Sequence, residues 1–83
     1  MIRYRLYTER FPNIASITAK YFDGFTVTET IDYWHGVKEF SLVVEIFAYE
    51  CEHARVEKLR AEIKSTNHQQ SVGLTSEPVT VEF

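Results

Sequence analysis

Between Phe25 and Tyr49 apolar and polar residues alternate with a period of two, interrupted by the segment His35-Gly36-Val37-Lys38. That period sends alternate side chains to opposite faces of a strand, so it predicts two long strands joined by a compact turn. In the first strand Phe25, Val27, Ile31 and Tyr33 share one face, with Glu29 breaking the apolar set, while Thr26, Thr28, Thr30, Asp32 and Trp34 share the other. In the second, Glu39 to Tyr49, the residues expected to meet the core are Phe40, Leu42, Val44, Ile46 and Ala48. Ser41, Val43, Glu45, Phe47 and Tyr49 are expected to face away. Upstream, Tyr4 to Thr8 reads as a strand with Tyr4 and Leu6 on one face and Arg3, Arg5 and Tyr7 on the other. Ile14, Ile17 and Tyr21 then recur at helical spacing behind Pro12 and Asn13, predicting a helix from Asn13 to about Phe22. Asp23-Gly24 should stop it, with Gly24 in the left-handed conformation. Downstream, Glu50 to Lys64 is a second helix with Val56, Leu59 and Ile63 on its apolar stripe and charges of alternating sign around the rest. Ser71 to Thr75 predicts a fourth strand with Val72 and Leu74 inward. Ser76-Glu77-Pro78 should break it, and the alternation of Val79, Val81 and Phe83 suggests a short extra C-terminal strand.

The order βαββαβ is that of the ferredoxin-like fold, an α+β arrangement with two helices on one face of a four-stranded antiparallel sheet. The whole chain, residues 1–83, is read as a single domain. The second sheet face is left open, and alternation puts Arg3, Arg5, Tyr7, Thr28, Trp34, Val43, Phe47 and Tyr49 among the residues displayed there. Trp34, Val43, Phe47 and Tyr49 together would make an apolar patch of the size that marks an interface, so a homo-oligomer, a dimer or larger, is expected.

Composition narrows the possibilities. With 83 residues the chain hides only about 60–65% of its unfolded surface, so a solitary domain is marginally stable. The 45% hydrophobic content, with six Phe, five Tyr and one Trp, is ample for a core. One cysteine, Cys51, excludes a disulfide framework within the chain and suits a reducing compartment. No apolar run has the length of a membrane span, and Met1 to Arg5 lacks a signal peptide's apolar segment, so a cytoplasmic location and no membrane partner are expected. A net charge of −3 with interspersed signs argues against duplex nucleic acid as a partner.

Reactive constellations are sparse. His35, His53, His68 and Cys51 lack ligand spacing, so no metal is expected. No nucleophile elbow, Walker or dinucleotide fingerprint occurs, and only three glycines exist to build phosphate loops, so no cofactor and no catalytic residue is assigned. A dyad such as Asp32 with His35 stays open, with an ordinary polar pair at the hairpin end as the competing reading. A binding palette remains: Tyr and Trp rings stack on bases, Arg and Lys hold phosphates, and Ser and Thr hydrogen-bond cheaply. Tyr7, Tyr33, Trp34, Tyr49, Arg3, Arg5, Lys38, Thr28 and Ser41 could converge near the open face and the hairpin. For each aromatic, a place in the core or in a subunit interface is the competing reading.

The blocks Phe22-Asp23-Gly24-Phe25-Thr26-Val27, Tyr33-Trp34-His35-Gly36, Glu39-Phe40-Ser41, Val44-Glu45-Ile46 and Gln69-Gln70-Ser71-Val72 resemble a group of small phage, prophage and bacterial ferredoxin-like proteins. The likeness spans roughly Tyr21 to Thr75. It departs from the group's pattern at Glu29-Thr30-Ile31-Asp32, where a small residue is usual before Tyr-Trp. Some phage proteins of this size act as sponges that sequester cyclic nucleotide immune signals, such as those of CBASS defence. The resemblance implies a ligand-binding role for Tyr33, Trp34, Glu39, Ser41 and Gln70, and a non-enzymatic, anti-defence function. Two other readings stand beside it: a protein inhibitor or adaptor that binds a host protein, and a small enzyme of the dimeric α/β-barrel kind.

Overall fold

In the computed structural model, which describes residues 1–83, the elements run β1 (Ile2–Glu9), α1 (Ile14–Ala19), β2 (Thr26–Trp34), β3 (Val37–Ala48), a 3-10 turn (Glu50–Glu52), α2 (His53–Thr66) and β4 (Gly73–Pro78). The strands form one antiparallel sheet in the order β2-β3-β1-β4, so the α+β architecture of four strands and two helices is of the ferredoxin-like type. Its core occupies one side of the sheet. Tyr4 and Leu6 of β1 and Leu42, Val44, Ile46 and Ala48 of β3 meet Ile14 and Ile17 of α1 and Val56, Leu59 and Ile63 of α2, with Phe22 and Val72 closing the ends. These are the positions that the periods of two and of 3.6 assign to a common interior.

Three expectations are corrected. Helix α1 is only six residues long, because the chain tightens into turns after it: Lys20 N–H bonds to Ile17 O and Tyr21 N–H to Thr18 O. Gly24 accordingly does not serve as a left-handed stop; the residues with positive φ are His35 (50°), Gly36 (78°) and His68 (52°). Trp34 pairs directly with Val37, so the hairpin turn is the two-residue loop His35-Gly36 with both central φ angles positive, the turn whose twist matches the flanking strands. Last, β4 runs on through Ser76-Glu77-Pro78, and no strand follows it. As an edge strand β4 pairs on one side only, so a proline without an N–H is tolerated where Pro78 faces Ile2, and Val79 N–H adds a final bond to Met1 O.

The turn supplies a stability test. Gly36→Val is expected to lose about 1–2 kcal/mol, since a β-branched residue at positive φ is strained even where space is open. Gly24→Val, at ordinary φ and also in open space, should stay within about 0.5 kcal/mol of wild type. Urea unfolding of both variants checks the contrast, and equal losses would contradict this turn assignment.

The two helices are joined through Glu62, whose carboxylate accepts from Lys20 Nζ at 2.6 Å and from the Tyr21 hydroxyl at 2.7 Å. The Lys20 hydrogen bond first, and the Tyr21 bond second, hold the Glu62 carboxyl below its ordinary range. The same bond raises the Tyr21 phenol. A depressed carboxyl contributes stability above its unfolded pKa that is lost as pH falls through the folded value. A raised phenol contributes below its unfolded pKa and is lost as pH rises through the folded one. Thermal unfolding should therefore show a plateau flanked by an acid limb below about pH 4 and an alkaline limb above about pH 10. Glu62→Gln should flatten both limbs; unchanged limbs would show that this link contributes nothing.

Candidate functional site

The registers of the three strand pairs fix the rows of side chains on the open sheet face. From the hairpin tip inward they are Trp34 beside Val37, Asp32 beside Glu39, Thr30–Ser41–Glu9, Thr28–Val43–Tyr7, Thr26–Glu45–Arg5 and Phe47–Arg3. Between the hairpin and the segment that leads from α2 into β4 lies an open cleft of about 500 Å³. The hairpin contributes Asp32, Trp34, Glu39 and Ser41, β1 contributes Tyr7 and Glu9, and the returning segment adds Gln69, Gln70 and Ser71. A groove of about 240 Å³ continues it along the face past Arg5, Thr28 and Val43, and Tyr7 borders both.

The returning segment is held in place by Gln69. Its amide donates to Thr8 Oγ1 at 2.7 Å and accepts from Glu9 N–H at 3.1 Å, which satisfies a buried side chain at both ends. His68, at positive φ, turns the chain off the end of α2 so that Gln69 reaches β1. Gln70 is thereby left exposed at the cleft's rim.

Charge is distributed unevenly along the face. Glu9, Asp32 and Glu39 border the cleft without an ion-pair partner, and no Lys or Arg borders it. Asp32 and Glu39 are direct cross-strand neighbours, an arrangement that costs stability unless something neutralises or bonds them. At the other end Arg5 donates from Nε to Glu45 Oε2 at 2.9 Å, and that bond raises the guanidinium further above its ordinary pKa. The Tyr7 side chain lies beside the same guanidinium and contributes to that rise after Glu45. Between the two ends, Ser41 is 7% exposed with a hydroxyl bonded to no other group of the chain, and its neighbour Thr30 has an enclosed, unpaired Oγ1.

Of the eight residues singled out from the sequence, Tyr7, Trp34, Glu39, Ser41 and Gln70 border the cleft, and Arg5 and Thr28 border the adjoining groove. Tyr33 is not with them: it alternates to the helix side of the hairpin, opposite Lys38, and is 70% exposed. Glu9, Asp32 and Gln69 were not assigned. The Asp32–Glu39 pairing could have been found from the hairpin register, whereas nothing local marks Gln69, whose partners lie some sixty positions away.

The expected apolar patch is also rearranged. Trp34 and Phe47 stand at opposite ends of the face, about 30 Å apart along β3, with the Asp32–Glu39 and Arg5–Glu45 rows between them, and Tyr49 lies beyond the strand. Exposed apolar surface gathers instead at the hairpin tip, where every residue from 31 to 40 is exposed. Trp34 and Val37 share one side of the tip; Ile31, Phe40 and Tyr33 share the other. The helix layer is too short to reach them. The Arg10 guanidinium and the Lys38 ammonium lie over Phe40, at 5.2 and 5.3 Å from its ring centre.

No group of three or more His, Cys, Asp or Glu side chains is placed to hold a metal ion, and no helix is long and apolar enough to cross a membrane. His35 meets Trp34 edge-on at 5.1 Å between ring centres.

No protein-family model matches the chain, and no curated protein matches it. Its structure is similar to that of a DUF3240-family protein from Shewanella baltica, with a TM-score of 0.75 at 9% identity, over 99% of this chain and 93% of that one. It is also similar to the de novo designed protein Foldit4, with a TM-score of 0.52 at 15% identity, over 95% and 96% of the two chains. At such identities the likeness establishes the fold alone.

Proposed function

We propose that this chain is a non-enzymatic binding protein that sequesters a nucleotide-type small molecule, with a cyclic nucleotide immune signal in a phage counter-defence setting as the leading case. The observation that carries the reading is the convergence of Tyr7, Trp34, Glu39, Ser41 and Gln70 on one cleft, continued by a groove that ends at Arg5. An indole for stacking, hydroxyls and an amide for polar atoms, and a guanidinium match the parts of a nucleotide in that order along the face. The unpaired carboxylates set its direction. A phosphate is repelled from Glu9, Asp32 and Glu39, so the base occupies the hairpin end and the phosphate the Arg5 end.

The working form in this reading is an oligomer, supported by the apolar residues bared on both sides of the hairpin tip, where a second copy would remove Ile31, Trp34 and Phe40 from water. Calorimetric titration with mono-, di- and cyclic nucleotides, followed by analysis of the recovered ligand, tests the function. Binding with intact recovery supports it, and conversion of the ligand points to an enzyme. The same tip favours a second reading, a protein inhibitor that inserts the hairpin into a host protein. Absence of heat with every nucleotide, together with a monomer by light scattering, would leave that reading in possession.

A further inference from the structure

The cleft's formal charge is one-sided. Glu9, Asp32 and Glu39 offer only acceptors, since ionised carboxylates have no proton to donate, and no basic side chain borders the cleft to neutralise them. Asp32 and Glu39 face each other across β2 and β3 one row inside Trp34, at a cross-strand spacing of about 5 Å between Cβ atoms. A second observation independent of the acids points into the same space: Ser41, more than nine-tenths buried, borders the cleft with a hydroxyl that bonds nothing in the chain. That hydroxyl is not among the enclosed unpaired atoms, so it reaches the cleft's solvent, where a ligand atom can take the place of water.

We infer that the Asp32–Glu39 pair reads the donor edge of a guanine base stacked on Trp34, so that the site selects guanine nucleotides. This rests on the nucleotide-binding reading above. Among the common bases only guanine presents two adjacent donors, N1–H and N2–H, which one carboxylate accepts together; its O6 beside them is an acceptor for a hydroxyl such as that of Ser41. Adenine and cytosine each place a ring acceptor next to their amino group, and that lone pair faces a carboxylate unfavourably. Uracil has one N–H between two carbonyl oxygens. The acids thus turn from a liability into the source of specificity, because a site built to bond particular donors rejects bases that leave its acceptors unpaired.

Calorimetry with GMP, IMP, AMP, CMP and UMP tests this directly. GMP is expected to bind about tenfold or more tighter than AMP, CMP and UMP, with IMP, which lacks the N2 amino group, between GMP and AMP. Glu39→Gln or Asp32→Asn should lower GMP affinity about tenfold and raise AMP affinity as the carboxylate facing adenine's lone pair is removed, while the melting temperature holds or rises as the like-charge pair is relieved. Equal binding of all five nucleotides, or an equal loss for all of them in both variants, overturns the guanine inference and leaves nucleotide binding standing. Failure of every nucleotide to bind overturns both. Tighter binding of agmatine than of GMP also overturns the inference and assigns the acids to an organic cation.

Discussion

Leu6→Ala is expected to cost about 2–5 kcal/mol, the largest loss of any single substitution considered for this chain. Leu6 is fully buried on β1, an inner strand, flanked in register by Val44 of β3 and Leu74 of β4, with the helices above it. Its neighbours are backbone-fixed strands on both sides, so they collapse little into the space that Ala leaves, and the cavity cost stays near the upper part of that range. An 83-residue domain has roughly 4–12 kcal/mol in total, so the variant loses a large share of it. Urea titration at a fixed protein concentration should show the midpoint fall sharply with the slope unchanged. Phe40→Ala is the contrast: Phe40 is 53% exposed and packs beneath two cations without entering the core, and its loss should be about 1 kcal/mol or less. A midpoint equal to wild type for Leu6→Ala would show that β1 does not lie where the registers put it.

Trp34→Ala should weaken nucleotide binding about ten- to hundredfold, the equivalent of about 1–3 kcal/mol of base stacking. Trp34 borders the cleft, whereas Tyr33 stands on the reverse side of the same hairpin, so Tyr33→Ala should leave affinity within about twofold. The pair separates stacking from assembly. If both variants lose affinity and both lose subunits by light scattering, the tip acts through the oligomer. If only Trp34→Ala loses affinity at unchanged subunit number, the indole touches the ligand. Retained affinity in Trp34→Ala would contradict the proposed placement of the base.

Periodicity was a good guide to which face each strand residue takes, because a half-buried strand cannot slip by one position without exposing its core set. Leu42, Val44, Ile46 and Ala48 are buried as the alternation requires. What alternation does not reveal is whether anything lies over a face. Ile31, Tyr33 and Phe40 carry the same inward signature as Val44, yet they extend past a helix of six residues and remain exposed. Asp23-Gly24 and Ser76-Glu77-Pro78 mislead for a related reason. Both have the composition of breakers, but a helix can end in a plain turn before its glycine, and an edge strand tolerates a proline that an inner strand does not. At the candidate site, residues within the hairpin were legible because their register is local. Gln69 and Glu9 enter the cleft through contacts across the whole chain, beyond the reach of any short window.

The sheet order β2-β3-β1-β4 has a kinetic consequence. Strands β2 and β3 close across two residues, whereas β1 must find partners as distant in the chain as Ala48 and Pro78, both opposite Ile2. Closing the large loops costs more chain entropy, so the hairpin should organise early and β1 should slot between β3 and β4 late. Substitutions then divide by the step they disturb. Strain at Gly36 should slow refolding, while the void left by Leu6→Ala should chiefly hasten unfolding, and a chevron plot for each variant would place the two effects on opposite arms.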